Sequence, residues 1–141
     1  MNGRFPSILL YKYPRMSPKD VDIWKRFLME HQDMFNSFDY DFPVGSGEDP
    51  GPKFEPNLRK DFIDLTKKRI DVVGYKNDEP TIIEIKPRAS STALGQLLTY
   101  KSLFIDSHPS FQTVPLMVIT EFINTEDRTI FDSNNIQIFV V

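Results

Sequence analysis

The stretch Thr81–Ser90, TIIEIKPRAS, decides the fold because it places two charges inside an otherwise apolar strand. Isoleucines surround Glu84 and Lys86 in the pattern of a β-strand. A buried charge costs several kcal/mol unless it is paired or bound to an ion. Two interpretations follow: the two charges face solvent on a half-exposed strand, or they belong to a buried site that binds an ion.

The segment before this stretch predicts its strand partner. RIDVVGY, residues 69–75, also has a strand pattern, and the turn-forming sequence KNDEP, residues 76–80, joins the two. We therefore expect a β-hairpin. With the turn centred between Asn77 and Asp78, Asp71 lies directly opposite Glu84, and Lys86 shares a face with Glu84.

This hairpin places two carboxylates against each other. Like charges directly opposite on paired strands are destabilising. A divalent cation removes the conflict, because Mg²⁺ accepts one or two carboxylates and keeps water ligands that a phosphate can replace. A register slip of one residue would instead turn Asp71 to the other face of the sheet. The hairpin thus predicts a metal site that depends on its register.

The rest of the chain predicts an order of elements around the hairpin. Ser17, Pro18 and Asp20 are typical of a helix start, so we expect a first helix from about residue 18 to 35. Residues 38–45 predict a strand, and residues 45–57 a long loop rich in glycine and proline. A helix is expected over 91–104, with strands over 114–120 and 136–141. The polar segment 121–135 receives no assignment.

The helix that follows the hairpin carries two polar residues on one face. Gln96 and Tyr100 are four residues apart, and Gly95 beside them suggests a close approach of the helix backbone to the sheet. Taken alone, these residues are an ordinary surface glutamine and a partly buried tyrosine. Their position just after the strand with Glu84 and Lys86 favours a shared site.

Together these residues resemble the PD-(D/E)xK nuclease superfamily. Asp71 and Glu84-Ile85-Lys86 are similar to its D…(D/E)-x-K motif, and Gln96 with Tyr100 to the Q-x-x-x-Y motif of its RecB-like branch. Ile70 stands where the motif's name has proline. The resemblance implies an α/β, restriction-endonuclease-like αβββαβ core, with a mixed central sheet flanked by helices. The length of 141 residues predicts a single domain over residues 1–141, and the resemblance, which covers residues 21–141, suggests similarity to small single-domain phage or viral members.

The resemblance also implies a chemistry, the hydrolysis of phosphodiester bonds with Mg²⁺ or Mn²⁺. Asp71, Glu84 and the main-chain carbonyl of Ile85 would hold the metal, and Lys86 would orient water and stabilise charge. Gln96 and Tyr100 would position the site or a nucleic-acid strand. Because many relatives carry an acid on the first helix, Glu30 is a further candidate ligand.

Charge and composition limit the kinds of partner that the chain can bind. The net charge of −3 disfavours bulk coating of nucleic acid, but basic residues cluster in the middle of the chain. Five of them are candidate phosphate contacts: Lys67, Lys68, Arg69, Arg88 and Lys101. With no cysteine, the chain has neither disulfides nor thiolate metal sites. No membrane span or signal peptide is evident, so we expect an intracellular protein, in the host cytoplasm if it is viral.

Two functions of different classes remain open. The first is a nuclease acting on nucleic acid, with DNA preferred, in recombination, repair or replication. The second is a catalytically inactive nucleic-acid-binding or assembly module with the same fold. A homodimer and a recombination or packaging complex are both compatible with a domain of this size. Retention of Lys86 favours the nuclease.

Overall fold

The computed structural model describes residues 1–141 and contains one six-stranded sheet with strand order β1-β2-β3-β4-β5-β6. The first four strands pair antiparallel, whereas β4–β5 and β5–β6 pair parallel. The mixed central sheet confirms the predicted α/β class. The strands are β1 Phe5–Pro6, β2 Ser37–Val44, β3 Lys68–Lys76, β4 Glu79–Ala89, β5 Leu116–Ile123 and β6 Ile136–Val140.

Four helices flank the sheet: α1 Pro18–His31, α2 Pro56–Thr66, α3 Ser91–Ser107 and α4 Thr125–Ser133. α1 begins where predicted, because the Ser17 hydroxyl accepts a hydrogen bond from the Asp20 amide at 3.2 Å. It ends at His31 and continues as a 3₁₀ turn over Gln32–Met34. No helix is long and apolar enough to cross a membrane.

The β3–β4 hairpin has the register that its turn sequence predicts. Asn77 and Asp78 have φ angles of 51° and 67°, which is the left-handed backbone of a two-residue type I′ turn. Pairing runs from Lys76 opposite Glu79 to Val72 opposite Ile83. Asp71 and Glu84 are the next residues on the two strands, so the turn chemistry brings them together.

The sheet is covered on both faces, and each face has its own core. α1 packs on one face, where Trp24 and Phe27 are fully buried against strand residues such as Val72 and Ile83. α3 and α4 cover the other face, through Phe104 and Phe131 among others. Because alternate strand residues serve opposite faces, Glu84 lies on the α3 face, between its buried neighbours Ile83 and Ile85.

Two helices depart from the sequence-based expectation. The predicted loop over 45–57 ends at Glu55, because α2 begins at Pro56, and α4 occupies much of the unassigned segment 121–135. α2 has no buried residue, so its apolar side chains do not mark a core-facing stripe. α4 is short, and only Phe131 is buried.

Candidate active site

The site lies where β3 and β4 separate. Their ladder stops at Val72 and Ile83, whereas β3 stays paired with β2 as far as Lys68 and β4 stays paired with β5 as far as Ala89. The two strands therefore diverge and leave a fork in the sheet. The Ile85 amide donates to Asp71 Oδ2 at 2.9 Å, so a carboxylate takes the place of a backbone partner at the start of the fork.

A second irregularity supports the fork from the other side. The β2–β3 pairing skips Asp41 and Asp71, and Asp41 has a φ of 52°. Buried residues change face at this point, because Tyr40 packs on the α1 face and Phe42 against the α3 face. The Asp41 carboxylate is held by Arg15 at 3.5 Å and Arg69 at 3.2 Å. These ion pairs fix the bend that presents Asp71 to the fork.

Asp71, which is partly buried, and Glu84, which is buried, form a carboxyl pair within hydrogen-bonding distance. Glu84 is 3% exposed, and its Oε2 atom is buried without a hydrogen-bond partner. Burial, and then the charge and hydrogen bond of Asp71, raise the pKa of Glu84 to about 9. Burial also raises the pKa of Asp71. Without a cation, Glu84 therefore holds a proton at neutral pH and donates it to Asp71.

Lys86 is the cation of this group. Its Nζ atom lies 3.7 Å from Glu84 Oε1, an ion-pair distance that is too long for a direct hydrogen bond. Its side chain is 33% exposed, so the ammonium stands at the boundary between the buried carboxyl pair and solvent. The charge of Lys86 lowers the pKa of Glu84, but burial and Asp71 outweigh it. The single positive charge of Lys86 is thus not enough to keep both carboxyl groups ionised.

On α1, the acid whose charge acts on the carboxyl pair is Asp20 and not the predicted Glu30. The charge of Asp20 raises the pKa of both Asp71 and Glu84. Glu30 lies ten residues further along α1, about 15 Å along the helix axis, with an exposed side chain 3.9 Å from His31. The structure therefore does not bring Glu30 to the carboxyl pair. The sequence pattern indicates for Asp20 only a role at the start of the helix.

α3 places Gln96 and Tyr100 over the fork, together with the other candidate residues. Tyr100 is 7% exposed, and it lines the same cleft as Gln96. Burial, followed by the charges of Glu84 and Asp71, raises the pKa of Tyr100 to about 12. The side-chain oxygen of Gln96 is buried without a partner. All five predicted motif residues thus meet at one place.

An open cleft of about 330 Å³ adjoins this side of α3 and is lined by Gln96, Tyr100, Gly95, Thr99 and Lys68. A Cβ atom added to Gly95 would have no neighbour within 4 Å. The expected close approach of Gly95 to the sheet is therefore wrong. The glycine instead leaves space in the cleft beside Gln96.

The five predicted phosphate contacts do not form one patch. Lys68 lines the cleft beside Gln96, but Lys67 pairs with Asp64 at 3.5 Å and Arg69 pairs with Asp41. Lys101 lines a separate pocket with Leu116 and Asn134, near the start of β5.

The fifth residue, Arg88, lies two residues beyond Lys86 on β4. Its guanidinium stands 4.4 Å from the centre of the half-exposed Phe122 ring, and it forms no ion pair. Lys68, Arg88 and Lys101 are thus the three predicted contacts without a carboxylate partner, and of these only Lys68 lines the cleft beside Gln96.

The donor atoms at the fork suit a hard divalent cation. Two carboxyl groups meet there, and one oxygen of Glu84 has no partner, so both groups can supply oxygen ligands. No group of three or more His, Asp or Glu side chains is close enough to hold an ion together. Water or a substrate oxygen would have to complete the coordination, as is usual for Mg²⁺.

Comparison with known proteins supports the fold. No protein-family model matches the chain, and no curated protein matches it in sequence. The crystal structure of a repair endonuclease from Pyrococcus abyssi is similar, with a TM-score of 0.52 and 13% identity over 95% of this chain and 50% of that chain. EndoMS in a complex with dsDNA is similar over 94% of this chain and 48% of its own, with a TM-score of 0.51 and 12% identity. This chain thus spans about half the length of both proteins, and the similarity shows the fold.

Proposed function

We propose that this chain is a metal-dependent deoxyribonuclease of the PD-(D/E)xK superfamily, in its RecB-like branch. The observation that carries the proposal is the buried carboxyl group of Glu84, which has an unpartnered oxygen beside Asp71. A buried acid pair is costly for the fold unless an ion uses it. The fork, the adjacent lysine and the Gln96–Tyr100 pair are the surroundings that phosphodiester hydrolysis requires.

Asp71, Glu84 and the carbonyl of Ile85 would hold Mg²⁺ or Mn²⁺. When bound, the ion lowers the pKa of a water molecule and stabilises negative charge on the phosphate. Asp71 is oriented for this task by the Ile85 amide, which donates to its Oδ2 atom at 2.9 Å. Burial of Glu84 limits competition from bulk water.

Lys86 supplies a fixed positive charge at the entrance of the fork. Lys86 acts by orienting water and by stabilising charge on the phosphate rather than as a base. Its partial exposure lets the ammonium contact both the carboxyl pair and an incoming phosphate.

Several observations support DNA as the substrate. One similar structure is a repair endonuclease, and another contains dsDNA, although both chains are twice as long as this one. Lys68 beside the cleft and Arg88 beyond Lys86 are free to contact phosphates that flank the cut. Endonucleolytic cleavage in repair, recombination or replication is the activity that fits best.

The test is cleavage of linear, circular and single-stranded DNA, and of RNA, with Mg²⁺, Mn²⁺ or EDTA. We expect cleavage of DNA with either metal, none with EDTA, and a loss of about 10²-fold or more in Lys86→Ala. Lys76→Ala is the matched control, because Lys76 lies on the same hairpin at the turn end and contacts the Asp33 carbonyl. Folded protein that cuts no substrate would favour the inactive binding or assembly module.

Tyr100→Phe tests the role of α3 in the site. We expect the cleavage rate to fall about tenfold with little change in Mg²⁺ affinity, because the hydroxyl experiences the charges of Glu84 and Asp71 without being a metal ligand. Single-turnover rates and a Mg²⁺ titration separate the two effects. Tyr11→Phe is the control, since Tyr11 is fully exposed. An unchanged rate would remove Tyr100 from the site.

A further inference from the structure

β6 is an edge strand whose outer side has no partner. It pairs in parallel with β5 on one side and ends the strand order of the sheet. Its sequence, IQIFV, contains no charge and no proline. Natural edge strands are normally protected by charged side chains, proline, bulges or short length, because free N–H and C=O groups pair with other chains. β6 has none of the first three protections.

The opposite edge of the same sheet is protected. β1 is only two residues long, contains Pro6, and covers only the first two residues of β2. The rest of β2 carries two aspartates, the irregular backbone at Asp41 and Pro43, all of which disfavour pairing with another chain. β6 has no such protection.

The backbone groups of β6 that face outward can be identified. The Val141 amide donates to the Thr120 carbonyl of β5 at 2.9 Å, so Val141 faces inward. Backbone groups alternate in direction along a strand, so the N–H and C=O groups of Phe139 also face β5. Those of Ile136, Ile138 and Val140 point away from the sheet. These three residues form the row of groups that a new strand would meet.

We propose that β6 pairs antiparallel with β6 of a second copy, about a two-fold axis through Ile138. This register places Ile138 opposite Ile138 of the second copy and Ile136 opposite its Val140, so every outward-facing residue gains a partner. The pairing also brings no like charges together, because β6 has no charges. The result is one continuous sheet that spans both copies, independent of the proposed nuclease activity.

A second copy fits this edge because the residues whose backbone groups face outward, Ile136, Ile138 and Val140, are all apolar and uncharged, so the same three residues can pair with themselves as a two-fold axis requires. Val140 is 51% exposed, and it would lie beside Ile136 of the second copy as a cross-strand pair of β-branched residues. A different protein strand or a flanking segment would also satisfy the backbone groups, but neither requires the register centred on Ile138. That register therefore distinguishes the second copy from other occupants.

The first test is sedimentation velocity over a range of concentrations. We expect a monomer–dimer equilibrium in the wild type, and a dissociation constant at least about tenfold higher in Val140→Pro, since the dimer loses two N–H···O bonds. Proline is tolerated in the monomer at a strand position whose N–H faces solvent. Val140→Ala, which keeps the amide, is the matched control. Thermal unfolding would show whether each variant keeps the fold.

The second test uses the absence of native cysteines. In a hydrogen-bonded antiparallel pair the Cα atoms are about 5.5 Å apart, within the range that a disulfide spans. Ile138→Cys should therefore form a covalent dimer under mild oxidation. Ile130→Cys, at a 48% exposed position on α4, should remain mostly monomeric at the same concentration.

The outcomes are distinct. A wild type that remains monomeric up to its solubility limit overturns the proposal. A dimer that Val140→Pro does not weaken, with no enhanced cross-linking of Ile138→Cys, assigns association to another surface. Neither result bears on the nuclease proposal, which is measured by cleavage.

Discussion

Glu84→Ala is expected to abolish metal-dependent cleavage, by about 10²–10³-fold or more, while leaving the metal-free protein at least as stable as the wild type. The two effects have one cause. Glu84 is 3% exposed, and its Oε2 atom has no hydrogen-bond partner, so it contributes little to the fold without an ion. The measurement combines cleavage rates with chemical unfolding in EDTA.

The stability part of this prediction depends on opposing terms. Removing a buried carboxyl group relieves the cost of its desolvation, which stabilises the folded state. The loss of its hydrogen bond to Asp71 and the void left by the smaller side chain act in the opposite direction. Glu84→Gln is the matched variant, because it preserves the volume and can still donate a hydrogen bond to Asp71 but cannot bind the ion as a carboxylate.

Glu84→Gln and Glu84→Ala should therefore lose cleavage to a similar extent. Wild-type stability should rise with Mg²⁺, since an ion that binds only the folded protein stabilises it, and both variants should lose most of this response. Unfolding of Glu84→Ala at temperatures at which the wild type is folded would show that Glu84 is a structural residue. Full cleavage by Glu84→Gln would show that its carboxylate is not a metal ligand.

The hairpin could be predicted from the sequence because its determinants are local. In the KNDEP turn, Asn77 and Asp78 adopt left-handed backbone angles. This turn determines the register that places Asp71 beside Glu84. Helical spacing places Gln96 and Tyr100 on one face of α3. Because α3 directly follows β4 in the chain, it covers the strand that carries Glu84 and Lys86. Each step needs only neighbouring residues.

The acid on α1 could not be chosen from the sequence. Both Asp20 and Glu30 flank the apolar stripe of the helix, and which end faces the fork depends on how α1 crosses the sheet. The separation of β3 from β4 is also a tertiary property, since it depends on the bend at Asp41 and on the arginines that hold its carboxylate. Residues distant in sequence determine both features.

α2 and Gly95 show a different limit of prediction from sequence. Leu58, Phe62 and Leu65 have helical spacing, but all three are exposed, so the stripe does not report burial. Gly95 suggested close packing because glycine is unfavourable within a helix. The structure shows an open cleft there instead. A residue type reveals that a position is special without revealing whether protein or substrate occupies the space.

The stability of the metal-free protein is expected to fall as the pH rises from about 5 to 9. The pKa of Glu84 is raised from 4.5 to about 9, so in this range the folded state holds a proton that the unfolded state has released. The free energy of unfolding then decreases with pH, by at most about 1.4 kcal/mol per unit. The raised pKa of Asp71 acts in the same direction.

Unfolding by urea in EDTA at a series of pH values measures this slope, and Glu84→Gln isolates its cause. The variant keeps the acids whose pKa is lowered, Asp49 to about 2 and Glu121, and these affect stability mainly at acid pH. It should therefore lose most of the fall between pH 5 and 9. Mg²⁺ should reverse the slope in the wild type, because ionised carboxylates bind the cation more tightly as the pH rises. A wild type whose stability is independent of pH in EDTA would mean that Glu84 is ionised and solvated in the folded state. The metal site would then no longer be supported by the cost of burying this carboxyl group.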